Sequence, residues 1–263
     1  MTDITSRKEH EAELEKRVYE RTKELDKANE QLKALNQLKS AFVSNVSHEL
    51  RTPIANIQLY LSLIGQTRDT QKESRFLQIL TSEAKRLGNL IEDLLILSRL
   101  ENKKEDVSKE FALLDSVMAP VLLNYAASAN RKNITFHHKP NPTLPPTPMF
   151  KERISQVFTN LLGNAVAYTP IYGMITITSR LEEDENGRFA TLTIHNDGPP
   201  IPETDLPYIF DRFYRGENAK RSDVHGAGLG LAICQEIIHD HQGEITVHSA
   251  AGQGTAITVK LPL

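Results

Sequence analysis

One cysteine, Cys234, stands in the whole chain, so no disulfide can close within it, and its expected state is a small buried hydrophobe in a reducing compartment. Nowhere does the sequence approach the roughly 20 apolar residues in a row that span a bilayer. The richest stretch, Val117 to Ala129, is interrupted by Pro120 and Asn124. The N-terminal segment is too charged for a secretory signal. Long tracts of one charge sign are also missing. Acidic residues number 34 against 31 basic ones, and the net charge of −3 offers no basic footprint for nucleic acid. A composition of 39% hydrophobic and 25% charged residues over 263 positions excludes wholesale disorder and predicts one large domain or two ordinary ones. The expectation is a soluble, cytoplasmic chain that binds no nucleic acid and carries no membrane span. It opens directly on a charged helical pattern, which leaves room for a preceding domain.

Glycine and proline are absent from Glu11 to Phe42, a segment rich in Glu, Lys, Leu and Ala that predicts one long helix. In heptads, Leu14, Arg21, Ala28, Leu35 and Phe42 share one seam position, and Val18, Leu25, Leu32 and Lys39 the other. So narrow an apolar stripe calls for a parallel partner helix, most simply from a second copy of the chain; a solvated single helix is the alternative. The seam shifts near Lys39 and continues through Val46, Leu50, Ile54 and Ile57, which suits a coil opening into a wider bundle. Pro53 falls inside this pattern and predicts a kink or local unwinding. After a connector from Gly65 to Thr70, a second amphipathic run reaches Leu100, so the two helices form a hairpin, and two hairpins a four-helix bundle.

Past the polar residues 101–106 the pattern becomes mixed. Helices are predicted at Leu113 to Ala129, Phe150 to Tyr168 and Gly230 to His241. Strands are predicted at 134–138, 174–179, 190–195, 244–249 and 255–261, with 140–148 as a proline-rich connection and Glu182 to Arg188 as a turn. Helices beside hairpin-linked strands make an α+β sandwich.

The chemistry-bearing residues lie in separate segments. Ser47 to Ile54 sets the imidazole of His48 beside the carboxylate of Glu49 on an exposed helix face. A carboxylate can accept the imidazole proton and leave the other nitrogen as a nucleophile, although a lone surface histidine is more often only that. Asn160 and Asn164 lie four residues apart on one helix face, where a carboxamide oxygen suits Mg²⁺. Asn196, Asp197 and Gly198 follow a strand, where a polar side chain can pair with an adenine. Phe210 to Arg215 supplies aromatic anchors and cations. Gly226, Gly228 and Gly230 lead into a helix whose amides can hold phosphates. The sequence contains no Walker-type loop, and the glycines do not follow a strand as in a Rossmann fingerprint. Taken singly, each segment also reads as a cap, a turn or ordinary packing; the weight lies in their joint order.

From about Leu38 to the C-terminus the chain resembles the sensor histidine kinases of two-component signalling, through an H box (Ser47 to Ile54), an N box (Asn160 to Thr169), two glycine boxes (Asn196 to Ile201, Gly226 to Leu231) and an F box (Phe210 to Arg215). The resemblance implies a long coiled-coil helix over 1–38, a dimerisation and histidine phosphotransfer hairpin over 39–102, a linker over 103–110 and a Bergerat-type α/β sandwich ATP-binding domain over 111–263. Asp3, Ile4 and Thr5 resemble the close of a PAS sensor domain running into a signalling helix. Implied partners are a second copy, an upstream sensor domain and a response regulator receiver domain; implied cofactors are ATP and Mg²⁺.

Carried across, His48 matches the phosphoacceptor, Glu49 its acid/base neighbour and Thr52 the position that orients a water for dephosphorylating the partner. Asn164 matches the Mg²⁺ ligand, with Asn160 a turn earlier and Tyr168 in contact with the nucleotide. Arg215 and the amides near Gly228 and Gly230 match phosphate contacts, and Lys220 and Arg221 fall in the lid. Among nine histidines, His195, His225 and His241 have structural or nucleotide-side explanations, and His48 is singled out as combining an adjacent carboxylate with a solvent-facing helix. Two positions depart from the family pattern. Ala167 stands where a lysine is frequent, and Asn196 where an aspartate usually recognises adenine, although an amide can still accept from the adenine amino group and donate to its ring. Another ATPase of the same nucleotide fold, such as a topoisomerase or chaperone, and a degenerate kinase serving as a scaffold stay open as rival readings.

Overall fold

The computed structural model of the protein describes the backbone of residues 2–67, 69–102, 109–185, 187–217 and 226–263; the side chains of 2–15, 34, 35, 38, 101 and 102 lie outside the description. Most of the 103–110 linker, together with Lys220, Arg221 and His225, falls outside the described residues. Met1–Ala55 and Asn56–Leu263 are two separately compact units. Among the described residues no helix is long and apolar enough to cross a membrane.

Helix α1 runs over Thr2–Ile64. It continues through Pro53 without the expected unwinding, although proline cannot supply the ladder bond to the Glu49 carbonyl. Hydroxyls bond back to the preceding turn on either side of the His48 pair: Ser47 Oγ donates to the Val43 carbonyl (2.8 Å) and Thr52 Oγ1 to the His48 carbonyl (3.3 Å). Val18, Leu25 and Leu32, predicted seam residues, are all more than half exposed in the single chain. Asp3, Ile4 and Thr5 lie in the first turns of α1.

In the second unit, helix α2 covers Thr70–Asn102. The last turns of α1 meet it where Asn56 Nδ2 donates to Glu83 Oε1 (2.9 Å) and where Tyr60 and Phe76 pack at 5.4 Å between ring centroids. The rest is a sheet faced by helices. The five-stranded sheet has the order β2 (Thr135–Lys139), β4 (Met174–Asp184), β5 (Gly187–Asn196), β7 (Gly254–Pro262), β6 (Glu244–Ala250), with β2 and β4 parallel and the other pairs antiparallel. Strand alternation turns Ile175, Ile177, Leu192, Ile194, Ile257 and Val259 inward, against α4 (Lys151–Tyr168) and α5 (Gly230–Asp240), whose Phe158, Leu161, Leu162, Ile233 and Ile237 complete the core. Helix α3 (Leu114–Arg131) packs on α4. Lys132, just past α3, donates to the carbonyls of Val166 (2.9 Å) and Ala167 (2.8 Å) and so caps the C-terminus of α4.

Two elements differ from expectation. The turn predicted at Glu182 to Arg188 is mostly strand, since the β4–β5 ladder extends to Asp184 opposite Gly187. Inside the proline-rich connection, β3 (Thr147–Met149) pairs with β1 (Glu110–Ala112), with Pro148 opposite Phe111. A two-stranded ribbon tolerates proline because its outer edge needs no donor.

Candidate functional site

The phosphoacceptor candidate is built by α1. The His48 side chain is 77% exposed, and its Nδ1 lies 3.9 Å from Glu49 Oε1, an ion-pair distance rather than a hydrogen bond. Glu49 therefore attends Nδ1, leaving Nε2 on the far side of the ring. Thr52 is exposed one turn further on, its hydroxyl hydrogen directed at the His48 carbonyl and its lone pairs outward. The pattern of His48 recurs at His239, which precedes Asp240 on α5; there, however, Asp240 is engaged by Arg153 at 3.3 Å. Adjacency of a carboxylate alone therefore does not single out His48.

In the second unit a cavity of about 290 Å³ opens between the C-terminal half of α4, the end of β5, the loop at 199–216 and the N-terminus of α5. Its size is at the lower end for a small-molecule site. Ile194, Ile209, Leu231 and Ile257 give it apolar walls suited to a planar base. Of the polar groups singled out in the sequence, those that line it are Asn164 and Tyr168 from α4, Asn196 from β5, Arg215, and the glycine backbone at Gly226, Gly228 and Gly230.

Asn196 continues the inward row of Ala190, Leu192 and Ile194, so a period of two carries a carboxamide where a core residue would stand. It is 7% exposed. The orientation that satisfies its neighbours has Oδ1 accepting from the Gly198 amide (2.9 Å) and Nδ2 donating to the Thr255 carbonyl (3.3 Å). One lone pair and one N–H stay available for an edge-on ligand. Asp197, one residue on, turns the other way and accepts from the Met174 amide at 3.0 Å. Gly198 itself does not line the cavity. A Cβ there would lie 2.5 Å from the Asn196 carboxamide and 2.8 Å from the Tyr168 carbonyl, so glycine is what lets β5 end against α4.

Asn160 and Asn164 part company despite sharing a helix face. Asn164 reaches the cavity. Asn160, a turn earlier, donates to the Gly230 carbonyl at 3.1 Å and ties α4 to the start of α5. Of the three glycines, Gly228 is dictated by the fold: its φ is 72° and a Cβ would meet the Tyr214 carbonyl at 2.6 Å. At Gly226 and Gly230 a Cβ meets nothing closer than ordinary contact, so the missing side chains leave space at the helix start instead. Burial pushes the Tyr168 hydroxyl pKa up, and the charge of Arg215 works against that shift. Ala167 is not among the lining residues. The F box divides: Arg215 faces the cavity, whereas Arg212 pairs with Glu236 of α5 at 3.3 Å.

Two carboxylates at the cavity had no signal in the sequence. Asp93 of α2 lies on the stripe of Leu90, Leu97 and Leu100, and burial, followed by the neighbouring Glu92, pushes its pKa up to about 6. Asp205 precedes the short 3₁₀ turn Leu206–Tyr208, is 7% exposed, and accepts from Tyr214 Oη (2.9 Å) and the Glu217 amide (3.3 Å). Among the described residues no group of three or more His, Cys, Asp or Glu side chains is placed to hold a metal. The donor set fits instead a hard ion carried largely by its ligand's phosphates, with Asn164 contributing one amide oxygen.

Two family models match the chain: the His Kinase A (phospho-acceptor) domain over residues 38–103, and the histidine kinase-, DNA gyrase B- and HSP90-like ATPase over 150–263. The sensor histidine kinase WalK of Bacillus subtilis is 32% identical over 230 residues, 87% of this chain and 37% of that protein. The sensor protein kinase WalK of Staphylococcus aureus is 34% identical over 227 residues, 84% of this chain and 53% of that protein. The chain thus spans roughly a third to a half of these relatives' lengths. Among solved structures, the Acinetobacter baumannii histidine kinase AdeS superposes with a TM-score of 0.65 at 27% identity, covering 82% of this chain and 97% of that one. The histidine kinase ThkA, in complex with the response regulator protein TrrA, gives 0.67 at 27% identity, covering 84% and 60%. With a phospho-acceptor domain followed by an ATPase domain of this kind, the chain belongs to the sensor histidine kinases of two-component signalling.

Proposed function

We propose that the protein is an ATP-dependent protein-histidine kinase that phosphorylates its own His48 and passes the phosphoryl group to an aspartate of a response regulator receiver domain. One observation carries the reading: the segment matching the phospho-acceptor domain, residues 38–103, contains a single histidine, His48. The His48 Nε2 attacks the γ-phosphorus of ATP, the N–P bond forms as the bond to the ADP oxygen breaks, and Glu49 takes the Nδ1 proton. Asn196 meets the adenine edge, Tyr168 and the apolar walls hold the base, and Arg215 with the α5 N-terminus meets the phosphates. Mg²⁺, with Asn164 as a ligand, supplies charge neutralisation at the phosphates. The chemistry is otherwise positioning and electrostatics. Transfer of label from γ-labelled ATP to the chain tests the reading. A parent protein that binds ATP yet takes up no label would favour the scaffold.

The same reading places the chain in the cytoplasm, downstream of a sensor domain, as a homodimer. Exposed Val18, Leu25 and Leu32 on α1, with Leu77, Ile91 and Leu95 on α2, support the dimer, since such apolar rows are costly to leave in water. Light scattering at micromolar concentration should give twice the 29.6 kDa chain mass. A monomer there would count against the bundle.

Thr52 serves dephosphorylation of the regulator more than autophosphorylation, because its outward lone pairs lie one turn from His48. Thr52→Ala should leave autophosphorylation within about twofold of the parent and lower phosphatase activity by at least roughly tenfold. Equal loss of both activities would contradict this separation of roles.

A further inference from the structure

Arg215 is bracketed by one carboxylate. Asp205 Oδ1 accepts from the hydroxyl of Tyr214, the residue before it, and Oδ2 accepts from the amide of Glu217, two residues after it. Between these contacts the Gly216 backbone passes so close to Oδ2 that a Cβ would collide with it. The same segment is tied from the other side, where the Phe213 amide donates to the Gly228 carbonyl at 2.9 Å and Phe213 takes a φ of 65°, uncommon for a bulky residue. Burying a carboxylate is costly, and where a chain keeps one inside, the compensation is commonly in specificity of arrangement. Here the charge lines the cavity with its oxygens directed to the loop rather than to a neighbouring strand or helix.

We propose that Asp205 is a positioning residue of the nucleotide site, holding the backbone on both sides of Arg215 so that the guanidinium meets the ligand's phosphates. The inference rests on the assignment of the cavity to ATP. Tyr214 is the intermediary: its hydroxyl reaches Asp205 while its ring packs near Tyr208 at 5.7 Å between centroids. Fixing a long side chain before the ligand arrives removes part of the ordering cost of binding. The effect is therefore specific to phosphates, because the base is held by other elements, α4 and β5.

The test is competitive binding of ADP and of adenosine to the full chain. Asp205→Ala should weaken ADP about tenfold and adenosine less than about twofold. Asp205→Asn should restore most of the loss, since its amide can accept from Glu217 and donate to the Tyr214 oxygen. In an Arg215→Ala background, Asp205→Ala should cost ADP nothing more. If Asp205→Ala does not fold, Tyr214→Phe, a single hydroxyl deletion, should still lower the ADP-to-adenosine affinity ratio about threefold. Equal weakening of both ligands, unchanged ADP binding, failure of the asparagine to rescue, or additive losses with Arg215→Ala would each overturn the proposal. A parent that binds neither ligand would overturn the assignment of the cavity itself, and Asp205's role with it.

Discussion

His48→Gln should reduce labelling from γ-labelled ATP by more than about 10³-fold, to the detection limit, because the nucleophile itself is removed. The label in the parent should be a phosphoramidate, lost in acid and stable in alkali, unlike a serine or threonine ester. Three of the other described histidines are held by partners of their own. His138 Nε2 is 3.0 Å from Asp115, His195 Nε2 is 2.7 Å from the Gln253 carbonyl, and His241 is buried between the Phe150 amide and the Ile237 carbonyl. At His239 the neighbouring carboxylate is held by Arg153. ADP affinity of His48→Gln should stay within about twofold of the parent, since His48 is not among the residues lining the cavity. Acid-labile label persisting in the variant would move the acceptor to another histidine.

The long elements were legible because period and composition agree along them. Helix α4 begins one residue from its predicted start and ends at Tyr168 as predicted, and α5 ends one residue before His241. Alternation along β5 sends Asn196 and Asp197 to opposite faces once the strand is continued one residue past its predicted end at His195. What stayed hidden depends on contacts distant in sequence. Asp93 reads as an ordinary helix residue until α2 lies on α5 and the carboxylate is buried at the cavity. Asp205 sits among prolines and a threonine with no period at all; only the return of the chain at Tyr214 and Glu217 gives it partners. Asn160 shows the limit of face arguments. Four residues return to nearly the same angle but one turn along the axis, and that translation decides which carboxamide reaches the cavity and which reaches Gly230.

Asn164→Ala should abolish labelling by a different route from His48→Gln, through the metal rather than the acceptor. Asn164 lines the cavity, and in the proposed reading its amide oxygen would be the protein's ligand to an ion held mainly by the phosphates of ATP. Removing a ligand from so sparse a set should weaken Mg²⁺-dependent ATP binding roughly 10- to 100-fold and labelling by about 10²-fold or more. Stability should not fall with it. Asn164 is partly exposed on α4, and alanine favours a helix by a few tenths of a kcal/mol or more over asparagine. The metal dependence separates this account from a general defect. With Mg²⁺ present the parent should bind ADP more tightly than the variant, and in excess chelator the two should converge, since the apolar walls and Asn196 are untouched. Asn164→Asp, which keeps an oxygen at the same reach, should recover part of the Mg²⁺-dependent difference. A variant that binds ADP as the parent does with Mg²⁺ present would remove Asn164 from the metal site, and a gap that persists in chelator would assign it to the nucleotide alone.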